Sequence, residues 1–213
     1  SYNFSEDDDA IVPLHTYATY PFTSKIVVPE TLEYTKWKNK RIVLPTYHEL
    51  AYLHPQNFKP DESVLKKYNL SKGKYVIFRL SALNAHHDKD AKGISLKLRE
   101  ELISKLNGYE IIESFEEDKS RSRINSWDMH HLLAFSKLII SDSQTMTIEA
   151  AMLGVPSIRI NTFIGKSTVI SELENKYKLT YGFFPNNEVE IIKTLNYLLE
   201  MENVSQFWQE KKQ

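Results

Sequence analysis

The sequence predicts an α/β protein with a parallel sheet, and three observations carry the prediction. From residue 74 onward, short apolar runs alternate with stretches whose apolar residues recur at helical spacing. Glycine or proline marks the junctions, as at Gly108, Gly154 and Pro156. The segment LIISDSQTMTIEAAMLGVPSIRIN, residues 138–161, reads as strand, polar turn, helix and strand in direct succession. Strands separated by helices require right-handed crossovers, which make neighbouring strands parallel.

The elements follow in order. Residues 1–45 lack a self-sufficient pattern: Glu6 to Asp9 is acidic, and Pro13, Pro21 and Pro29 interrupt the rest. Only 25–28 and 41–44 are strand-like there, so the segment reads as the end of one domain and a crossing stretch. Residues 46–73 form an interdomain segment rich in aromatics and histidine, in which Asp61 caps a short helix over 62–68 and Gly73 ends it. Residues 74–204 carry the main α/β pattern. Strands are expected over 75–80, 110–114, 138–141, 156–161 and 180–183, and helices over 94–106, 126–136, 145–153, 168–177 and 188–201. The tail, 205–213, is expected to be a helix reaching toward another domain.

Bulk composition excludes several classes. A net charge of −1 with mixed signs does not fit a polyanion such as nucleic acid as main partner. The chain has no cysteine, which removes disulfides, thiolate metal sites and a cysteine nucleophile. No apolar run approaches the ~20 residues that cross a bilayer, and no signal-peptide pattern opens the chain. A cytoplasmic protein is expected. Because the sequence opens on Ser1 without a methionine, a piece of a longer protein is expected.

The turn after Ser141 is the first candidate site. Ligands of open parallel sheets bind beyond the carboxyl ends of strands. Ser143, Gln144 and Thr145 lead directly into a helix, whose free amides and dipole favour an anion. Glu149 lies four residues after Thr145, on the same helix face, and its carboxylate suits a ribose diol. The bland alternative is that these residues only cap the helix.

Here the residues carry a resemblance. Asp142, Ser143, Glu149, Leu153, Gly154 and Pro156 occur in the order seen in the donor-binding half of MurG-type glycosyltransferases and in UDP-N-acetylglucosamine 2-epimerases, both GT-B folds. YHELAYLHP at 47–55, FRLSALNAHHDKDAKGIS at 78–95, MHHLLA at 129–134 and the run at 142–163 look like an uncharacterised GT-B-like family related to them. The resemblance implies a Rossmann-like C-terminal half of a GT-B fold, with a remnant of the N-terminal domain. It implies a nucleotide-diphosphate sugar as partner, an acceptor of unknown kind, and no cofactor. It places Asp128 and Met129 near the nucleotide base. The epimerases carry Ser-Gly-Gly where this chain has Ser143, Gln144 and Thr145, a departure from their pattern.

Other positions follow from placement. Arg79 ends a strand and is a candidate for the diphosphate. His86, with His87 and Asp88, sits in the next loop and is a candidate proton carrier. Glu49, between His48 and His54, is a weaker acid or base candidate. The alternative for that segment is rigid interdomain packing with Tyr47, Tyr52 and Phe58 buried. Asp7, Asp8 and Asp9 read as a solvated turn. Adjacent pairs such as His86–His87 and His130–His131 rarely chelate one ion together, so no metal is expected. The expected activity of the whole protein is sugar transfer from a UDP-sugar or related donor. The alternatives are a 2-epimerase-like isomerase and a non-catalytic binding module. The chain alone is expected to bind without turnover.

Overall fold

The computed structural model describes residues 1–5, 13–32, 37–80, 93–115 and 123–211. Strands β1 (Tyr2–Phe4), β2 (Lys25–Pro29) and β3 (Arg41–Leu44) form a parallel sheet in that order, with helix α1 (Pro13–Thr19) between the first two. Tyr20, Ile26, Val28 and Leu32 make its small core. This sheet corrects the expectation of no self-sufficient pattern over 1–45. The strand-like runs at 25–28 and 41–44 are β2 and β3; β1, three residues long, has too few alternations to be read, and pairing across the sheet stabilises all three.

The crossing stretch holds α2 (Leu50–Leu53) and α3 (Ser63–Tyr68). Asp61 does accept from the Ser63 amide, at 2.9 Å, but Asn69 rather than Gly73 ends the helix, in the left-handed region at φ 56°. Then come β4 (Tyr75–Leu80), α4 (Leu96–Lys105), β5 (Glu110–Phe115), α5 (Met129–Phe135), β6 (Leu138–Ser141), α6 (Gln144–Leu153), β7 (Ser157–Ile160), α7 (Thr168–Asn175), β8 (Thr180–Phe183), α8 (Glu188–Glu200) and α9 (Val204–Lys211). The helix expected over 126–136 is split. A 3-10 turn over Ser126–Asp128 precedes α5, because Asn125 accepts from the Trp127 amide and tightens the entry.

The second sheet is fully parallel, with order β5-β4-β6-β7-β8. Its inner strands β4, β6 and β7 are largely buried on both faces; β4 and β6 are accordingly apolar for most of their length, whereas β7 buries Ser157 and Arg159 between its isoleucines. Helices α5, α6 and α7 pack in a row, and α4 packs with α8. Glu113, which pairs with Arg99 of α4, alternates along β5 with Ser114, so α4 and the Ser114 side chain lie on opposite faces.

Two glycines leave space that neighbouring side chains occupy. Gly154 ends α6 at φ +69°, and a Cβ there would fall 2.6 Å from Gln209 Nε2. At Gly182 a Cβ would fall 2.2 Å from Glu174 Oε1. The tail differs from expectation: α9 docks on the five-stranded unit itself. Trp208 is fully buried and donates to the Leu179 carbonyl at 2.7 Å, and Gln209 donates to the Leu153 carbonyl at 2.5 Å.

Candidate functional site

Strand order reverses between β4 and β6: the chain leaves β4 toward β5 on one side and returns to β6 on the other. Such a switch point opens a crevice beyond the strand ends. In register across that end lie Ser114, Arg79, Ser141, Arg159 and Gly182, one from each strand.

The turn from β6 to α6 is held from three sides. Ser141 Oγ accepts from the Ser143 amide at 2.9 Å. The Asp142 amide donates to the Arg79 carbonyl at 3.3 Å. Asn161 Nδ2 donates to the Asp142 carbonyl at 2.8 Å. Ser143 Oγ caps α6 by accepting from the Met146 amide at 3.4 Å, so the bland capping role is realised. Capping does not use up the helix end. Among the described residues the amides of Gln144 and Thr145 have no hydrogen-bond acceptor, and the Thr145 side chain is exposed.

Arg79 brings a cation to the same end of the sheet. Its Nη1 donates to Ser114 Oγ at 2.8 Å, while Nε is buried without a hydrogen-bond partner among the described residues. Arg159, which sequence reasoning did not single out, is 1% exposed. It pairs with Glu174 at 2.8 Å and donates to Asn161 Oδ1 at 3.1 Å. The chain Glu174–Arg159–Asn161 therefore ends on the Asp142 carbonyl of the anion turn. An isolated Arg between two isoleucines in a strand was the available signal, but its partner lies fifteen residues on and is not marked by spacing.

Glu149 is 6% exposed, one turn into α6. Its Oε1 accepts from the Tyr52 hydroxyl at 2.9 Å and lies 3.0 Å from His130 Nε2. Sequence reasoning had placed neither residue beside it. His130 and His131 both touch Phe58, with ring centroids at 6.1 and 4.9 Å, and His131 Nδ1 accepts from the Asp61 amide. The crossing stretch is thereby stitched to α5 and α6, and Tyr47 adds a hydroxyl bond to Glu172 of α7. The expectation that Tyr47, Tyr52 and Phe58 are buried is corrected. Tyr52 is 39% exposed and the other two are half-buried; Glu49, at 1%, and Leu53 are the buried residues. Burial follows the inner side of a four-residue helix, which aromatic content alone does not reveal. His48 Nδ1 lies 4.0 Å from Glu49 Oε2, and His54 Nδ1 accepts from the Gln56 amide.

Asp128 starts α5 without a side-chain cap. Lys67 and the Tyr68 hydroxyl both donate to its Oδ2 at 2.5 Å, and these bonds hold its carboxyl below the ordinary value of 3.8. A depressed folded pKa contributes stability that is complete above the unfolded value and is lost as pH falls through the folded one. The melting temperature is therefore expected to fall below about pH 4. Asp128→Asn should lower it at neutral pH and flatten that acid limb; an unchanged limb would refute the assignment. Met129 is a core residue, while Trp127 beside it is 89% exposed. His86, His87, Asp88 and Asp7 to Asp9 lie outside the described residues. Among the described residues no cluster of His, Asp or Glu is arranged to hold a metal ion, and no helix is long and apolar enough to cross a membrane.

No protein-family model matches the sequence, and no curated protein matches it. Solved structures do. UDP-GlcNAc 2-epimerase from Methanocaldococcus jannaschii aligns over 91% of this chain and 61% of its own, at 18% identity and a TM-score of 0.60. The same enzyme in complex with UDP-GlcNAc and UDP aligns over 85% of this chain and 56% of its own, at 16% identity and 0.54. Spinosyn forosaminyltransferase SpnP aligns over 89% of this chain and 50% of its own, at 14% identity and 0.53. The chain thus spans between half and about three fifths of the length of these proteins. What the likeness establishes is the architecture: a GT-B-like fold whose larger part here is a Rossmann-like five-stranded parallel sheet.

Proposed function

We propose that this chain is the nucleotide-sugar-binding half of a GT-B-like glycosyltransferase. The observation that carries the reading is the start of α6 at the switch point, with the Gln144 and Thr145 amides unfilled beside Arg79. That arrangement suits a diphosphate: oriented amides and a helix dipole on one side, a guanidinium on the other. Ser143, whose hydroxyl hydrogen is left to donate, completes the cradle. Glu149, one turn further, takes the ribose diol, and the entry to α5 at Asp128 and Met129 borders the base.

Chemistry on this site is electrostatic. The α6 amides and Arg79 stabilise the charge that gathers on a departing nucleoside diphosphate, and they need no rearrangement to do so. The base that activates the acceptor belongs to the opposite wall of the cleft. Glu49 and His86 are the candidates from this chain. The domain division follows the same reading: residues 1–45 and 46–73 as the N-terminal remnant and crossing segment, 74–204 as the nucleotide-sugar domain, and 205–213 as a terminal helix.

The second reading is a 2-epimerase-like isomerase. Buried Glu49 with His48 at 4.0 Å favours it, because proton abstraction beside a sugar needs a carboxylate and a proton carrier. Incubating the full-length protein with UDP-N-acetylglucosamine and resolving the products separates the two. Free UDP supports transfer or its hydrolytic side reaction, and a C2-inverted sugar supports the isomerase. Absence of any thermal shift with a panel of nucleotides and nucleotide sugars would remove both.

A further inference from the structure

We propose that Tyr52 is a latch on Glu149, which a nucleotide must displace in order to bind. The proposal rests on the nucleotide-sugar reading and adds regulation to the same site. Glu149 is 6% exposed, and its Oε1 already has two partners, the Tyr52 hydroxyl at 2.9 Å and His130 Nε2 at 3.0 Å. The Tyr52 hydroxyl takes one of the two lone-pair directions on Oε1, and the His130 ring nitrogen stands close against the same oxygen. A ribose diol that binds a carboxylate through both oxygens needs one of them back.

Tyr52 is the partner that yields. It is 39% exposed and stands on α2, a helix of four residues. His130 stands on the longer helix and is the less exposed of the two side chains. It is part of α5, and its ring lies between those of Tyr52 and Phe58, with centroids at 5.7 and 6.1 Å. Displacing Tyr52 also loosens one of the ties that bind the crossing stretch to the five-stranded unit, among which are Tyr47 to Glu172, the Asp61 amide to His131 and Tyr68 to Asp128. Ribose occupancy and the seating of the crossing stretch thus compete for one oxygen atom. Any ligand that takes the oxygen pays a conformational tax set by the latch.

The test is calorimetric titration of the chain with UDP, GDP, ADP and CDP, and with the 2′,3′-dideoxy form of the tightest binder. Tyr52→Phe keeps the ring and removes the hydroxyl. It is expected to tighten the ribonucleotide about fivefold, the size of one net hydrogen bond. The gain should vanish with the dideoxy nucleotide and in a Glu149→Ala background, which a general loosening of the fold would not reproduce. If nucleotide binds but Tyr52→Phe leaves its affinity unchanged or weaker, the latch is wrong and the nucleotide reading stands. If none of the four binds to any variant, both are wrong.

Discussion

Glu174→Ala is expected to destabilise the five-stranded unit by about 3–5 kcal/mol, the usual cost of stranding a buried charge. Arg159 is 1% exposed, and Glu174 is its only carboxylate partner within bonding distance among the described residues. Removing Glu174 leaves the guanidinium with Asn161 Oδ1 and no counter-charge. The sign of the effect depends on what is left behind. Arg159→Met together with Glu174→Ala removes both charges, and the double variant should recover most of the loss, since an apolar pair often replaces a buried ion pair without penalty. Urea denaturation of the two single variants and the double provides the coupling energy. A double variant as unstable as Glu174→Ala would mean that packing at Arg159, not its charge, supports the fold.

The second large effect is expected on binding. Glu149→Ala should weaken a ribonucleotide by about 2–3 kcal/mol, roughly 30- to 150-fold, if the carboxylate holds the ribose diol through charged hydrogen bonds. Its effect on stability should be smaller, about 1 kcal/mol, because Tyr52 and His130 are both part-exposed and can turn to water. The discrimination between ribo- and dideoxyribonucleotide should disappear in the same variant. An affinity equal to that of the unaltered chain would refute the ribose role and reduce the Glu149 cluster to a clasp between α2, α5 and α6.

These two expectations differ in how far the sequence foreshadowed them. Glu149 was legible, because it stands at a fixed offset inside a strand–turn–helix–strand segment, and such segments are written locally. Apolar runs, the Ser143 cap and the glycine that ends α6 are each decided within a few residues of chain. The same locality explains why α4, α6, α7 and α8 fell within two residues of their expected limits at each end. Arg159 was not legible. Its partner Glu174 comes from the following helix, and only the folded sheet shows that the two meet above Gly182.

By itself, then, the sequence determined the α/β class, the parallel strands from residue 75 onward and a polar turn after Ser141 that opens a helix. Tertiary structure decided the rest. It set β6 beside β4, which makes that turn a switch-point crevice next to Arg79. It joined the two strand-like runs near the start of the chain to a third, β1, too short to announce itself, in one parallel sheet. It brought Tyr52 and His130, from two separate elements, onto one oxygen of Glu149. Periodicity and caps report how each stretch of chain meets water and its own backbone. Which distant side chains meet each other depends on strand order and helix packing, and those are properties of the whole chain.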